Sequence, residues 1–150
     1  MSRRFSALLA TVLSAGLATV AAAEAPLHEV TATPGKAVAG GKGQVSVTLA
    51  AKNGWKLNAE APMSLKLTPG AGVTVDKPKL SRKDLASNDG HAARFDVPFV
   101  AAEAGMKSID AEAAYVICQE SACKQVKEKL TVAVDVGAAG KTAKPGKTKK

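Results

Sequence analysis

Ligand-forming and aromatic side chains are scarce in this chain, which holds two cysteines, two histidines and only 3% aromatic residues. His28 and His91 lie far from the cysteines in sequence, so the chain offers little for a metal framework, and Met63 and Met106 read as core fillers rather than copper ligands. No Ser/His/Asp set has interpretable spacing, and neither a Gly-rich phosphate loop nor a His-Glu-x-x-His zinc motif occurs. Hydrolase chemistry is therefore without support, and no cofactor or metal is expected. Strong helical periodicity is also missing. The alanine-rich stretch 101–114 is interrupted by Gly105 and carries a period-2 pattern, so it reads as strand.

Only one long apolar run is present, and it stands at the N-terminus. Arg3 and Arg4 precede an Ala/Leu-rich segment from Phe5 to Val20, and Ala21-Ala22-Ala23 supplies small residues for cleavage before Glu24. Residues 1–23 thus read as a cleaved signal peptide, and the mature chain is expected to be a soluble periplasmic protein without stable membrane insertion. The formal charge of +8 is unevenly placed. All 13 acidic residues fall between Glu24 and Asp135 against 14 basic ones, so the body is nearly neutral, which excludes nucleic acid as an expected partner. The segment 137–150 carries Lys141, Lys144, Lys147, Lys149 and Lys150 among Gly, Ala and Pro, and reads as a disordered, solubilising tail. Attraction of that tail to an anionic surface is the alternative.

What the chain does have is alternation. Residues 24–43 are rich in turn formers and read as a flexible leader or edge strand. Val45, Val47 and Leu49 share one parity, as do Met63, Leu65 and Leu67, and Ala93, Phe95, Val97 and Phe99. Asn53-Gly54 is the strongest turn signal, and Trp55 after it reads as a packing residue. Pro98 cannot donate to a ladder, so its strand is expected at an edge or with a bulge. Leu80 to His91 reads as a polar, irregular connection. About seven strands over residues 44–136 predict an all-β, immunoglobulin-like antiparallel sandwich.

The two cysteines sit between the two clearest alternating runs. Ile109, Ala111, Ala113, Tyr115 and Ile117 precede them, and Val126, Leu130, Val132, Val134 and Val136 follow. Cys118 and Cys123 occupy the parity opposite both apolar sets, placing them on the outer side of a hairpin ribbon, where opposed residues are close enough to bond. So short a closed loop contributes only roughly 2 kcal/mol. Three uses remain open to such a pair in an oxidising compartment: a structural staple, a reversible redox pair, or part of a metal site. Lys124 favours a thiolate at Cys123 and Glu120 opposes it, so no direction of pKa follows from sequence.

Gly54-Trp55-Lys56-Leu57-Asn58, Tyr115-Val-Ile-Cys118, the compact loop to Cys123 and the Lys-rich final strand together resemble the N-terminal periplasmic domain of the thiol–disulfide interchange protein DsbD family. The resemblance covers residues 44–136, here within a stand-alone exported protein. It implies an immunoglobulin-like sandwich whose Cys118–Cys123 pair takes electrons from a thioredoxin-like periplasmic protein or domain, fed by a membrane electron carrier, and passes them to disulfide-containing proteins. It further implies Cys123 as the exchanging residue, Cys118 as its resolving partner, and a cap loop over Leu80 to Gly90. Within that loop Leu85 would cover the sulfurs, and Asp84 or Asp89 would tune the thiol. The chain departs from the pattern in having four residues between its cysteines, one fewer than the best-known members, and no aromatic in residues 83–87. The competing expectation is a non-catalytic sandwich that binds or assists, with a purely structural disulfide.

Overall fold

Each alternating run gives a strand one apolar and one polar face, and two sheets close over the apolar faces. The computed structural model describes residues 25–139. The N-terminal segment read from sequence as a signal peptide and the Lys-rich stretch from residue 140 lie outside the described residues. Eleven strands follow in order: β1 (His28–Thr33), β2 (Gly35–Val38), β3 (Lys42–Ala51), β4 (Lys56–Leu57), β5 (Ser64–Pro69), β6 (Val73–Thr74), β7 (Lys79–Ser81), β8 (Leu85–Asn88), β9 (Ala92–Ala101), β10 (Gly105–Gln119) and β11 (Ala122–Gly137). One sheet runs β1-β3-β9-β6, with β8 also on β9. The other runs β2-β11-β10-β5-β7, with β4 also on β10. This is the expected all-β, immunoglobulin-like sandwich. The strands beyond the expected seven are short pieces sharing long neighbours, and β2 runs parallel to β11.

The inward parities are those read from sequence. Val45, Val47 and Leu49 of β3 face Val97, Phe95 and Ala93 of β9 in register, and all six are buried. In the second sheet Ala111 and Ala113 of β10 stand opposite Leu67 and Leu65 of β5, so small side chains make room for large ones. Trp55 and Met63 are buried in this core, as expected. Met106 is not: it is 71% exposed opposite Asp135, because position 106 lies on the outward parity of β10.

Two of the turns that move the chain between sheets have clear local causes. Asn53 and Gly54 both adopt positive φ (52° and 80°), and Trp55 N–H bonds Lys52 C=O at 3.0 Å. This turn carries the chain from β3 in one sheet to β4 in the other. At Pro34-Gly35 the chain leaves the edge of the first sheet as β1 and joins the second as β2.

Pro98 is accommodated without a bulge. Although β9 is interior, β8 reaches along it only to Phe95 and β6 begins at Val100, so β9 is locally an edge at Pro98. Residues 80–91 differ from the irregular connection expected. Leu80 is buried in β7, residues 82–84 form one 3₁₀ turn, and Leu85 starts β8 and packs against the core. The alternation is faint because β8 is an outer strand with Ala86, Ser87 and Asn88 exposed.

Gly35 lies where a β-carbon would stand 2.6 Å from Val45 Cγ1, 2.8 Å from Phe99 Cε1 and 2.9 Å from Gln44 O. Gly35→Ala should therefore lower stability by about 1–3 kcal/mol through overpacking, measured as a shifted urea midpoint with unchanged slope.

Candidate functional site

The β10–β11 ladder runs without a break from Gly105 opposite Val136 to Gln119 opposite Ala122. Glu120 and Ser121 close it, and Glu120 takes φ of 49° to complete so tight a turn. Immediately before the turn Cys118 and Cys123 are directly opposed, 4.1 Å apart at Cα, and joined as a disulfide. Cys118 is half-buried and Cys123 is exposed. Across the other side of Cys118, Lys56 of β4 occupies the paired position.

Asn58 lies beside the cystine and was not singled out by sequence reasoning. Its Nδ2 donates to Cys118 Sγ at 3.3 Å, while its Oδ1 accepts from the backbone N–H of Glu60 and Ala61 at 2.8 and 2.9 Å. Arg82 locks the same bend by donating from Nη2 to the backbone carbonyls of Asn58 (2.7 Å) and Ala61. Trp55 is buried, and Lys124 Nζ rests 5.6 Å from the centroid of its ring. An Asn shortly before a proline, here Asn58-Ala59-Glu60-Ala61-Pro62, is a turn signal, and it could have flagged position 58.

The remaining sequence-predicted residues engage other partners. Asp84 accepts from Ser81 N–H (2.8 Å) and Ser81 Oγ (3.1 Å) and pairs with Lys77. The Lys77 hydrogen bond, then that of the Ser81 backbone, hold its carboxyl below the usual range. Asp89 accepts from Ala92 N–H (2.6 Å) and His91 N–H (2.8 Å), which also depress its pKa. Neither carboxylate hydrogen-bonds to a cysteine. Leu85 stands in register with Phe95 in the first sheet, whereas the cystine belongs to the second. The link from this segment toward the sulfurs runs through Arg82 and Asn58.

A second polar cluster lies five positions along the ladder, where Glu128 stands opposite Ala113. Glu128 occupies the inward parity of β11 between Val126 and Leu130, a departure from alternation that the sequence displays openly. His28 of β1 bonds it across the sandwich at 2.8 Å, and the His28 ring meets Tyr115 edge to face at 6.3 Å. Tyr115 Oη is buried without a hydrogen-bond partner, and desolvation first, then the Glu128 charge, raise its pKa. No group of three or more His, Cys, Asp or Glu side chains is arranged for a metal ion among the described residues. Nor is any helix among them long and apolar enough to cross a membrane.

Two outcomes follow from these contacts. Asp84 has a depressed pKa in the folded state, so its contribution is present above the unfolded carboxylate value near 4 and is lost as pH falls through the folded one. Asp84→Asn should thus be less stable than wild type at neutral pH, with the gap in urea midpoints closing below about pH 4. Tyr115→Phe removes an unsatisfied buried hydroxyl and should leave stability unchanged or raise it by about 1 kcal/mol, read from the same titration at neutral pH.

No protein-family model matches the chain, and no curated protein matches it. Among solved structures, the chain is similar to AggA, the major subunit of aggregative adherence fimbriae type I from Escherichia coli, at 11% identity and TM-score 0.39, over 73% of this chain and 93% of that one. It is similar to the PapD-like domain 7 of human CEP192 at 8% identity and TM-score 0.43, over 86% and 98%. A conjugative transposon lipoprotein from Bacteroides eggerthii gives 11% identity and TM-score 0.38, over 72% and 98%. Such scores decide neither family nor activity. The immunoglobulin-like sandwich stands on the strand pairing itself.

Proposed function

We propose that this domain is a non-catalytic binding or accessory module of the periplasm whose Cys118–Cys123 cystine pins the end of its longest hairpin. The observation that carries this reading is the place of the cystine: a directly opposed pair at the tip of an unbroken ladder, beside a two-residue turn. Its ionisable neighbours in the ladder and turn are Lys56, Glu120 and Lys124, while Asp84 and Asp89 spend their oxygens on their own turns. A cross-strand bond there fixes which residues of β10 and β11 face each other, something a structural disulfide does without any chemistry.

Thiol–disulfide exchange with a thioredoxin-like partner is the second reading. It is favoured by the asymmetry of the sulfurs, with Cys123 exposed and Cys118 Sγ accepting a hydrogen bond from Asn58. A partner thiolate would attack Cys123 Sγ, breaking the S–S bond and expelling Cys118 as a thiolate that the Asn58 N–H stabilises. The partner's second thiolate would then release Cys123, leaving the domain reduced. In the donating direction Cys123 thiolate attacks a target disulfide, and Cys118 thiolate displaces the target thiol as the cystine reforms. The resemblance to the DsbD domain supports this reading, and with it a membrane electron carrier upstream and a cap over the sulfurs formed by Leu85, with Asp84 or Asp89 tuning the thiol.

A redox titration of the folded protein separates the two. The structural reading expects a midpoint below about −300 mV and no exchange with a thioredoxin-like protein. It also expects Cys118→Ala with Cys123→Ala to lose roughly 2 kcal/mol while remaining folded. A midpoint well above that value with rapid exchange establishes the redox module instead.

A further inference from the structure

The outer edge of β11 is open over most of its length. β2 covers only Val134 to Gly137, so residues 122–133 pair with β10 alone among the described residues. Every second N–H and C=O along that stretch points away from β10 and is free to pair with another strand. Beside the first part of this edge lies a cleft of about 430 Å³ whose walls combine the apolar Pro26, Leu27 and Val126 with the charged edge residues Lys124, Lys127 and Glu128. Its rim is held in place, since Lys52 N–H bonds Leu27 C=O at 2.8 Å and Asn53 Nδ2 bonds Pro26 C=O at 2.9 Å.

On the same strand Gln125, Lys127 and Lys129 are exposed, and Gln125 and Lys127 also border the cleft. Lys129 has one neighbouring carboxylate, Glu112 at 3.5 Å. From these observations we propose that β11 residues 124–132 are a docking edge for an extended partner segment with alternating apolar and acidic residues. Added as a strand, such a segment directs every second side chain into the cleft and the others alongside Lys127 and Lys129. The inference rests on the binding-module reading and names its ligand class.

Charge decides among occupants. A second copy of this chain would set one row of edge lysines against another, a pairing that edge lysines ordinarily oppose. The chain's own C-terminal segment, with Lys141, Lys144, Lys147, Lys149 and Lys150, carries the same sign as the edge.

The test uses the full mature chain and a peptide of about eight residues alternating valine and glutamate, a length within the common strand range. Two controls accompany it: the valine–lysine counterpart, and the valine–glutamate peptide N-methylated at alternate residues. Amide hydrogen exchange should show new protection confined to residues 124–132 with the valine–glutamate peptide and with neither control. Lys127→Glu with Lys129→Glu, both exposed positions, should weaken binding by about tenfold, and added salt should weaken binding to the wild type. Absence of protection at 124–132, equal binding of the lysine peptide, or concentration-dependent protection without any peptide overturns the proposal. Repeating the titration with the double alanine variant of the cysteines keeps the two failures apart. Thiol exchange in the redox experiment sinks the structural reading of the cystine, whereas an unprotected edge sinks only the docking site.

Discussion

The unbroken pairing of β10 with β11 is the constraint on which the rest of the molecule depends. Fifteen residues of β10 present five apolar side chains to the core, and the second sheet is assembled on their backbone. β11 lies on one side of β10, while β5 and then β4 divide the other. Because side chains alternate with a period of two, the register of this one ladder sets which face of four strands is buried. It also places Lys56, Cys118 and Cys123 in one row across the sheet.

The first sheet is tied to this frame at a few crossing points, each with its own local physics. Pro34 interrupts β1 before β2 begins, and Gly35 allows the backbone to run against Val45 and Phe99. Asn53-Gly54 reverses the chain with two positive φ values and delivers Trp55 to the core. Arg82 joins the strap from β7 to β8 to the bend at Asn58 and Ala61, and Asn58 in turn touches Cys118. The surroundings of the cystine are therefore built from segments far apart in sequence, although the disulfide itself is local.

That difference explains what could be read before folding. Clean alternation made the inward faces of β3, β5, β9, β10 and β11 legible, and the spacing of Cys118 and Cys123 made the hairpin legible. β8 escaped notice because an outer strand with exposed Ala, Ser and Asn bears no apolar period. Met106 was misread as a filler although its parity in β10 already pointed outward. Asn58 and Arg82 owe their significance to a tertiary bend, and short polar residues in a turn carry no mark of the sulfur they approach. Glu128 was different: a carboxylate on the inward parity between Val126 and Leu130 is a local contradiction, and its resolution by His28 needed a strand 100 positions away. Such contradictions are where sequence reasoning should look for polar sites.

The cystine and the open edge of β11 are connected by the same register. A slip of one residue between β10 and β11 would carry Val126 and Leu130 to the outer face and bring Lys127 and Lys129 inward. Burying those ammonium groups without partners would be costly, so the hydrophobic pattern already resists the slip over the middle of the ladder. At the tip it resists least, because residues 119–125 are all exposed. The Cys118–Cys123 bond constrains that weakest part, holding Ala122 and Cys123 against Gln119 and Cys118. A bond with a small effect on global stability can thus have a large effect on which way the first residues of β11 point. The disulfide thereby fixes the start of the strand whose residues Lys124 to Glu128 border the cleft beside Pro26 and Leu27.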